Sequence, residues 1–272
     1  MILLLLLIVA AQSYSVTYIL LAGPKKSKMK KALLRSMRDF YVALENLPSD
    51  VEIKSIYMVK GCLQDCDFPD YDRVIRTLQV RFPNINIIPY WPEPPLEEKV
   101  LFGKWFNDYY STHFARVQVW DQYLLKKHLT INFYFYSALL NAFNNNPTDV
   151  YIYAEDDQTY APNTFSTVSE LMKRPEINKT AIPRCFSKIS LTNGQANRNV
   201  SQLNLTQEEV WGAFGAFRSS DEAKLFSRIL KFTNYHDTED WLSQVFCMWI
   251  GRPIIDVNCV SRHFGRDRNM PK

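Results

Sequence analysis

Three adjacent carboxylates, Glu155-Asp156-Asp157, follow directly on the apolar run Val150-Tyr151-Ile152-Tyr153 and Ala154. Acids this close repel one another when ionised, and a bound cation or protonation relieves the repulsion. Their hard oxygens suit Mg²⁺ or Mn²⁺, ions that complete their shells with substrate phosphate oxygens. The chemistry such a site supports is the departure of a diphosphate whose charge the cation offsets. A competing reading makes the triplet an acidic helix start, since acids ahead of Pro162-Asn163 would also suit a helix macrodipole. Spacing alone leaves both open.

A metal-binding tip needs a strand to carry it and a sheet to hold the strand. Val150–Tyr153 reads as that strand, and in open α/β sheets ligands bind at the carboxyl ends of strands. Upstream, Val16–Leu21 is an apolar run ending at Gly23-Pro24, a buried strand followed by a turn. Lys30–Leu47 carries Leu33, Leu34, Met37, Phe40 and Leu44 at helical spacing. Val51–Val59 reads as a second strand, Tyr71–Phe82 as a helix, and Asn86–Trp91 as a third strand closing on a proline-rich loop. A helical stretch, in one or two pieces, spans about Lys99 to Phe143 and is broken by Asn144-Asn145-Asn146-Pro147. This β-α-β-α-β-α-β order predicts an α/β fold, Rossmann-like, with a mostly parallel, doubly wound sheet.

The second half is less regular. Pro162–Arg174 reads as a helix capped near Asn163, and Glu176–Gln207 as a long polar excursion. Glu209–Arg218 reads as a strand broken by glycines. Asp221–Phe232 and Thr238–Trp249 read as helices, the latter capped by Thr-Glu-Asp, and Arg262–Lys272 as a basic tail.

Hydrophobic residues make up 47% of the 272 and charged residues 22%, which predicts a packed core rather than disorder. A net charge of +4 without a concentrated basic face argues against nucleic-acid binding. Residues 1–13 read as a signal peptide or signal anchor, and 14–272 as the catalytic domain. The uncharged stretch 1–23 has the length of a membrane span, but Val16–Leu21 is needed as the first strand. Three glycosylation sequons begin at Asn178, Asn199 and Asn204 and suggest a luminal surface. The five cysteines fit an oxidising lumen. Cys62 and Cys66 bracket a short loop, Cys247 and Cys259 a longer one, and Cys185 is left over. No four-ligand spacing with His favours zinc.

The Glu-Asp-Asp run after an aromatic-aliphatic strand resembles the metal and donor motif of GT-A glycosyltransferases. More closely, the chain resembles the N-acetylglucosaminyltransferase IV family, which builds branches on N-glycans. Four places carry the likeness: Val16–Pro24; Tyr153–Asp157; Gly212-Ala213-Phe214-Gly215-Ala216-Phe217, followed by a helix and Asp240-Trp241-Leu242; and Arg262-His263-Phe264-Gly265. Their order and approximate separation match across nearly the whole chain.

The resemblance implies a GT-A domain with a nucleotide-sugar half at 14–160 and an acceptor-side half at 161–272. It implies Asp157 as metal ligand, with His263 meeting the metal or diphosphate from the far side. Glu155 and Asp156 would hold donor ribose and sugar hydroxyls, beside Gly23 and Pro24. Asp240 would be the general base that deprotonates the acceptor hydroxyl, with Asp237 and Glu239 as rivals. Gly212 and Gly215 would let backbone approach a sugar closely, and Trp211 could stack on one or sit in the core. The expected activity is an inverting, Mn²⁺- or Mg²⁺-dependent transfer of N-acetylglucosamine from UDP-GlcNAc to a glycan in the Golgi or ER lumen. The chain departs from the family in a longer Lys173–Gln207 segment, Ala at 154 and a short C-terminal extension. Decoration of glycolipid (GPI) anchors, or glycan binding by an inactive secreted relative, are the alternatives.

Overall fold

The computed structural model describes residues 13–23, 31–61, 67–92, 134, 137–173, 189–193, 204–206, 214–217, 254–258 and 261–263. In chain order these hold β1 (Tyr14–Ala22), α1 (Ala32–Glu45), β2 (Val51–Lys60), α2 (Pro69–Arg81) and β3 (Asn86–Tyr90). Helical residues 137–145 follow, then β4 (Val150–Glu155), β5 (Gln158–Tyr160) and α3 (Thr164–Lys173). The remaining strands are β6 (Ile189–Asn193), β7 (Asn204–Thr206), β8 (Phe214–Phe217), β9 (Ile254–Asn258) and β10 (Ser261–His263).

Five strands form the main sheet in the order β3-β2-β1-β4-β8. The first four are parallel and β8 alone runs antiparallel. This is the α/β, Rossmann-like arrangement expected from the strand-helix alternation, with the strand order reversing direction between β1 and β4. Strand β1 has both faces covered, which is why it reads as a nearly continuous apolar run. Val16, Tyr18 and Leu20 share a core with Leu33, Met37 and Phe40 of α1, Val74 and Leu78 of α2, and Phe165 and Val168 of α3. On the opposite face, Thr17 Oγ1 donates to the Asn146 carbonyl at 3.4 Å, and Tyr57 Oη donates to Asn141 Oδ1 at 3.0 Å. Phe143 meets Tyr151 edge-on at 4.7 Å, so the helical residues 137–145 cover that face.

The helix ends follow from local chemistry. Pro69 opens α2, where its missing N–H costs nothing, Asp70 and Asp72 occupy the first turn, and Arg81 the last. At α3 the Asn163 carbonyl accepts the Thr167 N–H at 2.9 Å, so the helix starts next to the expected cap.

The register of β1 against β4 is fixed at its start. Ser15 donates its N–H and its hydroxyl to Asp149 Oδ2 at 2.8 and 2.7 Å, and Asp149 N–H returns a bond to Ser15 Oγ at 3.0 Å. That exchange extends β1 two residues ahead of the apolar run. A one-residue slip would turn the strand's buried faces over.

Asp50 ties the same end of the sheet to α3. It accepts from Ser169 Oγ at 2.5 Å and pairs with Lys173, and these two bonds hold its carboxyl below the usual range. A depressed carboxylate contributes stability that is present above its unfolded pKa and lost as pH falls through the folded one. Asp50→Asn is therefore expected to lower Tm by a few degrees at pH 7. The gap between the two proteins should close on acidification below about pH 4. Parallel thermal melts across that range check it, and a gap that persists at low pH would show that charge is not the cause.

Two expectations are corrected. The stretch 176–207 is not simply an excursion, because β6 and β7 lie within it and flank β9 in a three-stranded sheet. The expected basic tail begins with strand β10, which pairs antiparallel with β5. Strands from beyond residue 160 thus join both β4 and β5. The expected helices at 221–232 and 238–249 lie outside the described residues. Among the described residues, no helix is long and apolar enough to cross a membrane.

Candidate functional site

The carboxyl ends of β3, β2, β1 and β4 lie along one edge of the sheet, where Ala22 pairs with Lys60 and Leu21 with Glu155. The crevice of such a sheet opens where strand order reverses, here between β1 and β4. The acidic triplet sits at that point. Glu155 ends β4 and is half-buried, while Asp156 and Asp157 form the turn into β5. Asp156 and Asp157 are only 1% and 6% exposed. The alternative of an acidic helix start is thereby removed, since α3 begins only at Thr164.

Asp156 closes the crevice floor. Its Oδ2 accepts the Gly23 N–H at 3.0 Å, joining the tip of β1 to the acid turn. Beyond the strand ends, Gly61 N–H donates to the Ala22 carbonyl at 2.7 Å. A Cβ on Gly23 would stand 3.1 Å from the Gly61 carbonyl oxygen, and one on Gly61 3.0 Å from Leu21 Cδ1. Both glycines therefore permit a close backbone approach that side chains would push apart.

Two strands distant in sequence frame the turn. Strand β10 places His263 opposite Gln158, next to Asp157. Strand β8 places Gly215 opposite Tyr153 and Phe214 opposite Ala154. Strand β5 itself is anchored by Tyr160, whose hydroxyl lies 2.6 Å from that of Tyr18 in the buried core. Phe40 packs between them, with ring centroids 4.5 Å from Tyr18 and 5.1 Å from Tyr160. Burial drives the Tyr160 pKa well above its ordinary value, and the nearby Asp156 and Asp157 raise it further. Both effects keep the phenol neutral. Tyr160→Phe should remove the hydroxyl pair and lower Tm by about 2–6 °C, the scale of one buried hydrogen bond. An unchanged melting curve would show that the pair does not hold β5.

Gly23, Glu155, Asp156, Asp157, Gly215 and His263 are therefore brought to one end of β1, β4, β5, β8 and β10. Asn204 opens β7 at the edge of the small sheet. Pro24, Trp211, Gly212, Asp237, Glu239, Asp240, Asn178, Asn199 and all five cysteines lie outside the described residues. Among the described residues, no three His, Cys, Asp or Glu side chains form a ready metal cluster. The sequence reading missed Tyr160, Lys60 and Trp91. Lys60 ends β2 and its ammonium lies 4.4 Å from the Trp91 ring centre, just past β3. The only sequence signal was their position immediately before a loop.

Fold and site together define a Rossmann-like α/β domain with an acidic turn at the point of strand reversal. No protein-family model and no curated protein matches the chain. Among solved structures, it is similar to TarS of S. aureus, with a TM-score of 0.44 and 10% identity. That likeness covers 90% of this chain and 60% of the TarS chain, so this chain spans less than two thirds of it. It is also similar to 4-diphosphocytidyl-2C-methyl-D-erythritol synthase, with a TM-score of 0.38, 10% identity and 94% of each chain covered. At this degree of likeness neither protein's activity transfers to this chain.

Proposed function

We propose that the chain is a metal-dependent, inverting glycosyltransferase of GT-A type that moves N-acetylglucosamine from UDP-GlcNAc to a glycan, as N-glycan branching enzymes do. The observation that carries the reading is the pairing of β10 with β5, which sets His263 beside the acid turn. Four separated motifs suggested this site, and each has a residue at this end of the sheet.

In this reading residues 14–160 bind the nucleotide sugar and 161–272 bind the acceptor. The carboxylate-rich tip fits a hard cation, with Asp157 and His263 as the residues to hold Mn²⁺ or Mg²⁺. When bound, such an ion offsets the charge of the departing diphosphate. Asp156 accepts the Gly23 N–H and fixes the floor, and Glu155, at the strand tip, is assigned to donor hydroxyls. Gly215 carries no side chain where β8 passes β4. Asp240 takes the acceptor hydroxyl's proton as its oxygen attacks the anomeric carbon. A luminal location, in the Golgi or ER with a signal anchor, belongs to the same proposal.

A second reading is an inactive secreted relative that binds glycans. Hydrolysis and binding of a panel of nucleotide sugars, with and without Mn²⁺, separate the two. Metal-dependent UDP binding with slow donor hydrolysis supports the transferase. Glycan binding with no nucleotide binding supports the inactive relative.

A further inference from the structure

Helices α1, α2 and α3 share one core with the main sheet. As crossovers between parallel strands, α1 and α2 run back against them, so both end at the sheet's amino edge, opposite the acid turn. Only residues 46–50 separate α1 from β2, and only 82–85 separate α2 from β3. Lys173, which ends α3, pairs with Asp50 just ahead of β2. All three helix ends therefore lie along one edge.

That edge leaves apolar surface uncovered. Among the described residues the exposed large apolar side chains are Val42, Val80 and Trp91. The first two stand in the last turns of α1 and α2, and Val80 is 83% exposed. Tyr41, Leu47, Phe82 and Ile85 add partly covered apolar surface. Arg81 joins the two helix ends, donating from Nε to Glu45 Oε1 at 2.9 Å and lying 5.2 Å from the Tyr41 ring centre. The charges here are matched, Arg81 with Glu45 and Lys173 with Asp50. Apolar side chains rimmed by paired charges suit the boundary between lipid headgroups and acyl chains.

The chain's own apolar run reaches the same edge. Met1–Ala11 is uncharged and almost wholly aliphatic. Strand β1 takes up the chain at Tyr14, whose N–H donates to the Asp50 carbonyl at 2.7 Å. Tyr18, Ile19 and Leu20 are fully buried in the sheet, so β1 itself is not available to a bilayer. Lipid that holds the apolar run therefore lies against the amino edge.

We propose that this amino edge, with Val42 and Val80 in the contact, docks on a lipid bilayer surface and turns the acid site away from it. The inference rests on the signal-anchor reading above. Strand β1 spans nine residues, which holds the crevice about 25–30 Å from the lipid at the usual rise per residue. Ligands then reach it from the aqueous side.

Hydrogen exchange on the full chain, with and without phosphatidylcholine vesicles, tests the contact. Vesicles should slow exchange in the connections 46–50 and 82–85 by about threefold or more, and leave 156–161 unchanged. Val42→Glu combined with Val80→Glu should abolish that slowing. Trp91→Glu, past the carboxyl end of β3, should keep it. Unchanged Tm values show that both variants fold. A vesicle-bound chain with no slowing at these connections, or with slowing at 156–161, overturns the docking and leaves the anchor in place. Slowing that persists in the Val42→Glu, Val80→Glu protein also overturns it. The same slowing without vesicles, as protein concentration rises, assigns the edge to a second copy of the chain and overturns the lipid contact. A chain that binds no vesicles overturns both docking and anchor.

Discussion

Asp157→Ala is expected to abolish Mn²⁺-dependent UDP binding while the protein stays folded. Metal–phosphate charge stabilisation is worth several kcal/mol, so affinity should fall by more than about 100-fold. The folding side of the expectation follows from burial. Asp157 and Asp156 are adjacent and almost wholly covered, and without a cation their mutual repulsion opposes folding. Removing Asp157 should leave Tm unchanged or raise it. Asp156→Ala should do the opposite, because it strips the acceptor from the Gly23 N–H at a cost of about 1–3 kcal/mol. Titration and thermal melts on both variants read the two effects separately. Wild-type affinity in Asp157→Ala would remove it as a metal ligand.

Asp240→Asn is expected to slow turnover by about two to four orders of magnitude, the usual worth of a general base. The amide keeps the shape and loses the basicity, so UDP affinity should stay near normal and the loss should appear in kcat. Full activity in this variant would pass the role to Asp237 or Glu239, and the same assay on Asp237→Asn and Glu239→Gln would decide between them. Loss of the metal ligand reads out in binding, and loss of the base reads out only in turnover.

The parts of the fold that were legible in the sequence were those in which one segment carries the whole signal. Val16–Leu21, Val51–Val59 and Val150–Tyr153 are apolar because both sheet faces are covered, and each became a strand with its ends moved by a residue or two. The acidic tip was legible for the same reason, being contiguous with its strand. What stayed hidden depends on pairing between distant segments. Ser261-Arg262-His263 has no strand-like pattern and is a strand only because β5 offers it a partner. Ile189–Asn193 carries a short apolar–polar alternation inside a polar stretch, and it and the three-residue Asn204–Thr206 pair with β9. The bonds from Gly23 to Asp156 and from Tyr18 to Tyr160 join residues far apart in sequence, and no periodicity signals them. Lys60 ends β2 and Trp91 follows β3, and only the parallel register of the two strands makes them neighbours.

The dependence of β5 on β10 also bears on how the chain is made. During synthesis the segment to Tyr160 emerges well before residues 261–263, so the edge of β5 waits with unsatisfied backbone donors and acceptors. Bare edges of this kind invite pairing with other chains, and partly folded intermediates are where aggregation begins. The nascent protein passes through an adhesive stage that ends only when β10 arrives, so yield is expected to respond to chaperone supply.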